Sequence, residues 1–197
     1  MTDDRINPRG HFIVLSSPSG GGKSTVIERL LANFPNLIHS ISLTTRKPRG
    51  AEKDGHPYWF VTAAEFVRRR NAGDLLEWEE VYGDYYGTPW RPAEEAVQAG
   101  KNVIFDLDVK GALKLKAKRP DALLIFLTPP NMDVLAQRLR NRGTESEDQL
   151  QRRLALARWE CEQAGHFDHI VRNDTVDKTV AAISTLIQNT FKEAHDS

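Results

Sequence analysis

The chain has 197 residues, 40% of them hydrophobic, with 27 basic and 27 acidic residues and a formal net charge of 0. That length suits one substantial core with a small inserted unit, and the charge balance argues against a general nucleic-acid binder, which carries a basic excess. The single cysteine, Cys161, excludes an internal disulfide and a cysteine-based metal centre.

The first five residues lack the basic start and apolar run of a secretory signal. No apolar run approaches the ~20 residues that span a bilayer. The expectation is a cytoplasmic protein that engages small molecules, with no nucleic-acid or membrane partner. Residues 11–15, His-Phe-Ile-Val-Leu, form a short β-branched run and predict a buried strand. A Gly-rich segment follows at 16–23, then residues 24–31 with apolar positions at helical spacing. Strand, glycine loop and helix are the entry to an α/β fold. The stretch 38–86 breaks that pattern with short alternating segments and a cluster of Pro48, Gly50, Gly55 and Pro57; it predicts an inserted α+β unit. Helical patterns at 92–99 and 109–118 precede apolar runs at 103–107 and 123–127. Residues 138–153 are charged, with Gly143 at a turn and Thr144 and Glu147 spaced as a capping box. A short strand at 169–171 and a helix at 177–193, with Val180, Ile183 and Ile187 on one face, complete the chain. Alternating helices and apolar strands imply a mostly parallel sheet covered on both faces.

The segment Ser17-Pro18-Ser19-Gly20-Gly21-Gly22-Lys23-Ser24 fits the phosphate-loop form G-x-x-x-x-G-K-[ST], except that Ser17 replaces the first glycine. Glycines let successive N–H groups converge on phosphate oxygens, and the following helix adds its positive end. Lys23 would reach the outer phosphates of a nucleoside triphosphate and the Ser24 hydroxyl would ligate Mg²⁺.

Arg46 and Arg49 lie in a loop punctuated by Pro48 and Gly50. Their planar forks suit phosphate, with Tyr58 and Tyr86 as neutral donors. An isolated pair of arginines reads more readily as a solvated basic loop. Glu77 lies in Leu75-Leu76-Glu77-Trp78. A carboxylate there accepts the two adjacent donors of guanine, N1–H and the 2-amino group, which adenine does not present. Ser42 and Thr88 can donate to guanine O6. Taken alone, Glu77 reads more readily as an exposed strand carboxylate. The tryptophans, Trp59, Trp78, Trp90 and Trp159, read as packing residues.

Together the ordered set Ser17-Pro-Ser-Gly-Gly-Gly-Lys-Ser-Thr25, Ser42-Leu-Thr-Thr-Arg-Lys-Pro-Arg49, Leu76-Glu-Trp78, Tyr85-Tyr-Gly-Thr88, Asp106-Leu-Asp108, Arg142-Gly-Thr-Glu145 and Asn173-Asp174 resembles the guanylate kinase family. The resemblance covers nearly the whole chain. It implies a P-loop NTPase fold of three α/β/α layers on a mostly parallel five-stranded sheet. A core over 1–37, 97–135 and 160–197 would carry a GMP-binding insertion over 38–96 and a helical lid over 136–159. It implies transfer of the γ-phosphoryl of ATP to GMP, and to dGMP, with Mg²⁺, by a monomer or homodimer in purine nucleotide metabolism. Residues 17–25 and Asn173 match ATP contacts, with Asn173 beside the adenine. Ser42, Arg46, Arg49, Tyr58, Glu77, Tyr86, Thr88 and Asp106 match GMP contacts. Asp108 matches a carboxylate near the phosphates and Mg²⁺, acting through water. Lys23, Arg46, Arg138, Arg142 and Arg153 match the cations around the transferring group. Departures are Ser17, the prolines Pro89 and Pro92 where a helix starts, and Arg172 before Asn173. Three competitors remain: a non-catalytic scaffold domain, a kinase of another small phosphate ester, and a P-loop GTPase. The first has no use for an intact phosphate loop, the second none for a guanine reader, and the third lacks its strand-end base motifs here.

Overall fold

The computed structural model describes residues 9–81, 83–140 and 147–193. Five strands form one sheet: β1 (Phe12–Ser16), β2 (Leu37–His39), β7 (Asn102–Asp106), β8 (Leu123–Thr128) and β9 (His169–Arg172). Their spatial order is β2-β7-β1-β8-β9, and each neighbouring pair is parallel. In register, Val14 lies opposite both Phe105 and Leu124. Side chains alternate between faces along a strand. One face, with Phe12, Val14, Phe105, Leu124 and Phe126, packs on α3 (Arg91–Gln98) and α4 (Val109–Lys118). The other, with Ile13, Leu15, Ile104, Ile125 and Leu127, packs on α1 (Lys23–Asn33) and α7 (Val176–Glu193). Both faces are therefore apolar and the strands read as continuous runs.

A second sheet has the order β4-β3-β6-β5, from β3 (Leu43–Thr44), β4 (Trp59–Phe60), β5 (Leu75–Val81) and β6 (Asp84–Pro89). It packs on α2 (Ala63–Asn71) through Leu43, Phe66 and Leu75. Thr62 caps α2 by accepting the Glu65 N–H. The expected insertion limits, 38 and 96, fall inside β2 and α3. Both elements belong to the core, because β2 pairs with β7 and α3 packs beneath that sheet. The helical pair is α5 (Met132–Arg140) and α6 (Glu147–Glu162), joined by Leu135, Leu139, Leu150, Leu154 and Ala157. The expected lid limits, 136 and 159, likewise cut through these helices.

The two prolines that departed from the family pattern occupy positions that tolerate them. Pro89 ends β6, and Pro92 lies in the first turn of α3, where the N–H has no intrahelical partner. Between them Trp90 stacks on Phe12 at 5.2 Å. Of the four tryptophans only Trp90 packs into the core; Trp59, Trp78 and Trp159 are exposed, against the expectation that all four are packing residues. Among the described residues no helix is long and apolar enough to cross a membrane.

Candidate active site

The loop between β1 and α1 owes its shape to two left-handed glycines, Gly20 (φ 84°) and Gly22 (φ 91°). The Gly21 N–H donates to the Pro18 carbonyl at 2.8 Å. Ser17, buried, spends its hydroxyl on the same carbonyl at 3.0 Å. A Cβ on Gly21 would lie 2.5 Å from Ser17 Oγ and 2.8 Å from the Pro18 carbonyl oxygen, so the fold of the loop makes glycine necessary there. Gly22 caps α1 without a side-chain bond, and the first N–H groups of the helix stay unspent on side chains. Lys23 Nζ is loosely held, 3.3 Å from the Ser17 carbonyl and 3.4 Å from Asp106 Oδ1. Ser24 and Thr25 are exposed on the first turn. From α6, Arg153 donates to Ser19 Oγ at 2.5 Å.

The second sheet gathers two further groups. Arg46 is buried. Its guanidinium bonds both oxygens of Glu52, at 2.9 and 3.0 Å, and the Lys47 carbonyl at 2.7 Å. It lies 5.7 Å from the ring centres of Tyr58 and Phe60. The Glu52 partnership raises the Arg46 pKa and lowers that of Glu52. Arg49 is exposed, and its backbone N–H donates to Glu52 at 2.8 Å. The Tyr58 and Tyr86 rings meet edge to face at 5.7 Å. Burial, then the neighbouring Tyr86, pushes the Tyr58 pKa up, so its hydroxyl remains a neutral donor.

Glu77 on β5 faces Thr88 on β6 across the ladder. The Thr88 hydroxyl donates to Glu77 Oε1 at 2.6 Å, and Ser42 Oγ lies 3.4 Å from Thr88 Oγ1. Glu77 is half-buried, not an open strand carboxylate. Burial raises its pKa, the Thr88 hydrogen bond opposes that, and Asp108 adds to it. A cleft of ≈ 480 Å³ is lined by Ser24, Ser42, Tyr58 and Asp106 among others. It is open to both the loop helix and the second sheet. A cleft of this size with polar groups on its walls is a default ligand site.

The family model described as guanylate kinase matches residues 9–190. The chain belongs to the guanylate kinase family. A guanylate kinase of Corynebacterium efficiens is 43% identical over 192 residues, covering 96% of this chain and 100% of that one. One of Gloeobacter violaceus is 44% identical, covering 96% and 93%. The crystal structure of a guanylate kinase from Anaplasma phagocytophilum superposes with a TM-score of 0.74 at 32% identity, covering 92% of this chain and 86% of that chain.

Within this guanylate kinase fold several of the expected site residues have partners that the sequence did not show. Asp106, expected near the base, ends β7 beside Lys23. Asp108, expected near the phosphates, caps α4 by accepting the Gly111 N–H at 2.7 Å, and its charge acts on Glu77. The strand ends between the two carboxylates, and Asp106 also lines the cleft with Ser42 and Tyr58. Asn173, expected beside the adenine, is buried with both ends of its amide used. Nδ2 donates to the Gly21 carbonyl at 2.6 Å and Oδ1 accepts from Thr179 at 2.9 Å. It braces the phosphate loop. Arg138 is half-buried on α5. Arg142, with Gly143 and Thr144, lies outside the described residues. The sequence reading missed Glu52, Thr179 and Glu160. Glu160 had a signal, a carboxylate on the apolar stripe of α6; the other two had none, since their roles depend on partners brought close only by folding.

Proposed function

We propose that the site transfers the γ-phosphoryl group of ATP to GMP, with the donor on the loop between β1 and α1 and the acceptor on the second sheet. By family the chain is an ATP:GMP phosphotransferase. The observation that carries the assignment of the acceptor site is the pairing of half-buried Glu77 with Thr88, with Ser42 alongside. These groups complement the N1–H, 2-amino and O6 edge of guanine, and a site built on such bonds rejects bases that leave them unpaired.

Phosphoryl transfer asks for positioning and charge stabilisation more than for covalent chemistry by the protein. Loop N–H groups and Lys23 hold the ATP phosphates. Arg46, Arg49, Tyr58 and Tyr86 hold the acceptor phosphate, with Arg46 sharing its fork between that anion and Glu52. Arg153, Arg138 and Arg142 neutralise the charge on the group in flight, as cations supplied in cis. The acceptor phosphate is already ionised at neutral pH, so no general base is assigned. The elements from β3 to β6 act as the acceptor-binding unit, and α5 with α6 as the lid that excludes water.

Mg²⁺ takes oxygen ligands and keeps several waters and phosphates around it, so the exposed Ser24 hydroxyl and one carboxylate acting through water suffice. Asp106, beside Lys23, suits that role better than Asp108, whose Oδ1 is engaged in capping α4. The ion would supply charge neutralisation at the donor phosphates. The acceptor residues read base and phosphate, so dGMP serves as well as GMP. We assign the reaction to GMP recycling in the cytoplasm.

ADP release from ATP and Mg²⁺ is measured with GMP, dGMP, AMP, CMP, UMP and dTMP as acceptors, for wild type and Glu77→Ala. Turnover confined to GMP and dGMP is expected, with kcat/KM for GMP lowered about a hundredfold or more in Glu77→Ala. Turnover with every acceptor would overturn the assignment of Glu77 as base reader.

A further inference from the structure

Thr179 lies on α7 beside Val180 and is fully buried. Val180, Ile183 and Ile187 of this helix share one core with Val26, Ile27 and Leu30 of α1. A valine has nearly the shape of a threonine and would fill the same place with no polar atom. A buried hydroxyl is withdrawn from water at a cost unless it is hydrogen-bonded, so packing alone gives no reason for it here. The Thr179 hydroxyl donates to Asn173 Oδ1 at 2.9 Å. Asn173 is itself only 4% exposed, and its backbone N–H donates at 2.8 Å to the carbonyl of Thr128, the last residue of β8. Its Nδ2 donates to the Gly21 carbonyl at 2.6 Å. Two hydrogen bonds in series thus lead from α7 to the phosphate loop, and a third pins their midpoint to the main sheet.

The Gly21 carbonyl and the Gly22 N–H belong to one planar trans peptide and point in opposite directions. Holding the carbonyl on Asn173 therefore aims the N–H the other way, and a carbonyl so tied cannot turn toward a bound anion. Gly22 also has left-handed backbone, with Asn173 Nδ2 2.9 Å from where its Cβ would stand. We propose that Thr179 is a positioning residue for the donor site: by satisfying Asn173 Oδ1 it keeps that amide in place, and the amide sets the peptide between Gly21 and Gly22 for the triphosphate. This rests on the reading of the loop as the ATP site. Without the hydroxyl the buried Oδ1 loses this partner, and an unpaired buried oxygen is costly. The side chain relieves that cost by rotating toward water, and its Nδ2 then leaves Gly21. Thr179 has no exposed surface and α7 packs on α1 and β9, so the loss falls on ATP while the acceptor site on the second sheet is untouched.

The test uses the full chain with Thr179→Val, which keeps the shape and removes the donor, and Thr179→Ser, which keeps the donor. ATP affinity is measured by calorimetry with Mg²⁺ and no acceptor, KM and kcat by ADP release, and exchange of the Asn173 side-chain amide protons by NMR. Thr179→Val is expected to weaken ATP binding fivefold or more and to leave KM for GMP within twofold. Thr179→Ser is expected to hold ATP affinity within twofold of wild type. The Asn173 side-chain amide should be protected in wild type and exchange at least tenfold faster in Thr179→Val. Unchanged ATP affinity in Thr179→Val, equal weakening of both substrates, or an equal loss in Thr179→Ser would overturn the proposal. So would a freely exchanging Asn173 side-chain amide in wild type, which needs no variant to observe. A wild type that binds ATP yet turns over no acceptor would sink the kinase reading alone, and the comparison of ATP affinities would still decide the role of Thr179.

Discussion

On the proposed assignment, Glu77 and Thr88 set the terms on which the acceptor base is read. Guanine N1–H and the 2-amino group both donate, so Glu77 must be ionised to accept them. Burial raises its pKa and the Thr88 hydroxyl holds that rise in check. As pH falls through this raised value the carboxylate takes a proton and loses the match. KM for GMP should therefore begin to climb at a pH above the ordinary carboxylate range, while KM for ATP stays level. Thr88→Val removes the opposing hydrogen bond and should move the climb to still higher pH. The stability sign runs the other way. A carboxyl whose folded pKa is raised contributes stability below its unfolded pKa and loses it as pH rises through the folded one. Acid therefore weakens GMP binding without unfolding the chain through Glu77. Parallel pH profiles of KM for both substrates check this; a GMP profile flat down to the ordinary carboxylate range would refute it.

The junction of β1, the phosphate loop and α1 depends on backbone that only glycine adopts readily. Gly22 has φ 91°, and a Cβ there would lie 2.9 Å from Asn173 Nδ2, the atom that braces the Gly21 carbonyl. Gly22→Ala should cost about 1–2 kcal/mol from the left-handed backbone alone, read from urea unfolding. It should also lower kcat/KM for ATP about tenfold or more as the brace is displaced, with KM for GMP unchanged. A variant destabilised to that degree but kinetically normal would show that the brace does not matter to catalysis. The loop and the core strands were legible beforehand for a physical reason. β1, β7 and β8 are buried on both faces, so each appears as an unbroken apolar run. β3 and β4 have two residues each, too few for any period to show. The brace from Asn173 was not legible because its partner lies 152 positions away, and side-chain amides carry no mark of whether they face a ligand or the chain itself. The helix cap made by Asp108 was hidden for a related reason. Two residues apart, Asp106 and Asp108 would point the same way on a continuous strand, but β7 stops at Asp106 and Asp108 turns to cap a helix. Trp78 was read as a packing residue, yet it is exposed and meets the Arg70 guanidinium at 4.9 Å.

On the proposed assignment each substrate would join separate packed units. ATP on the loop of the main sheet would be held also by Arg153 of the α5–α6 pair, which has its own small core. GMP on the second sheet would meet Asp108 of the main core, whose charge already reaches Glu77. A ligand that binds only the folded state stabilises it by about 2.7 kcal/mol at a hundred times its Kd. For a chain of this length each kcal/mol moves the thermal midpoint by about 2–4 °C. ATP with Mg²⁺ and GMP, each alone at that excess, should therefore raise the midpoint by about 5–10 °C. Glu77→Ala should abolish most of the GMP shift and leave the ATP shift whole, because the two ligands anchor to different sheets. Scanning calorimetry of wild type and variant, with AMP as the control acceptor, separates the outcomes. Loss of both shifts together would mean that Glu77 supports the fold rather than the base. A GMP shift that survives the substitution and is matched by AMP would mean that the acceptor is held by its phosphate alone, and the guanine reader would have to be sought elsewhere in the cleft.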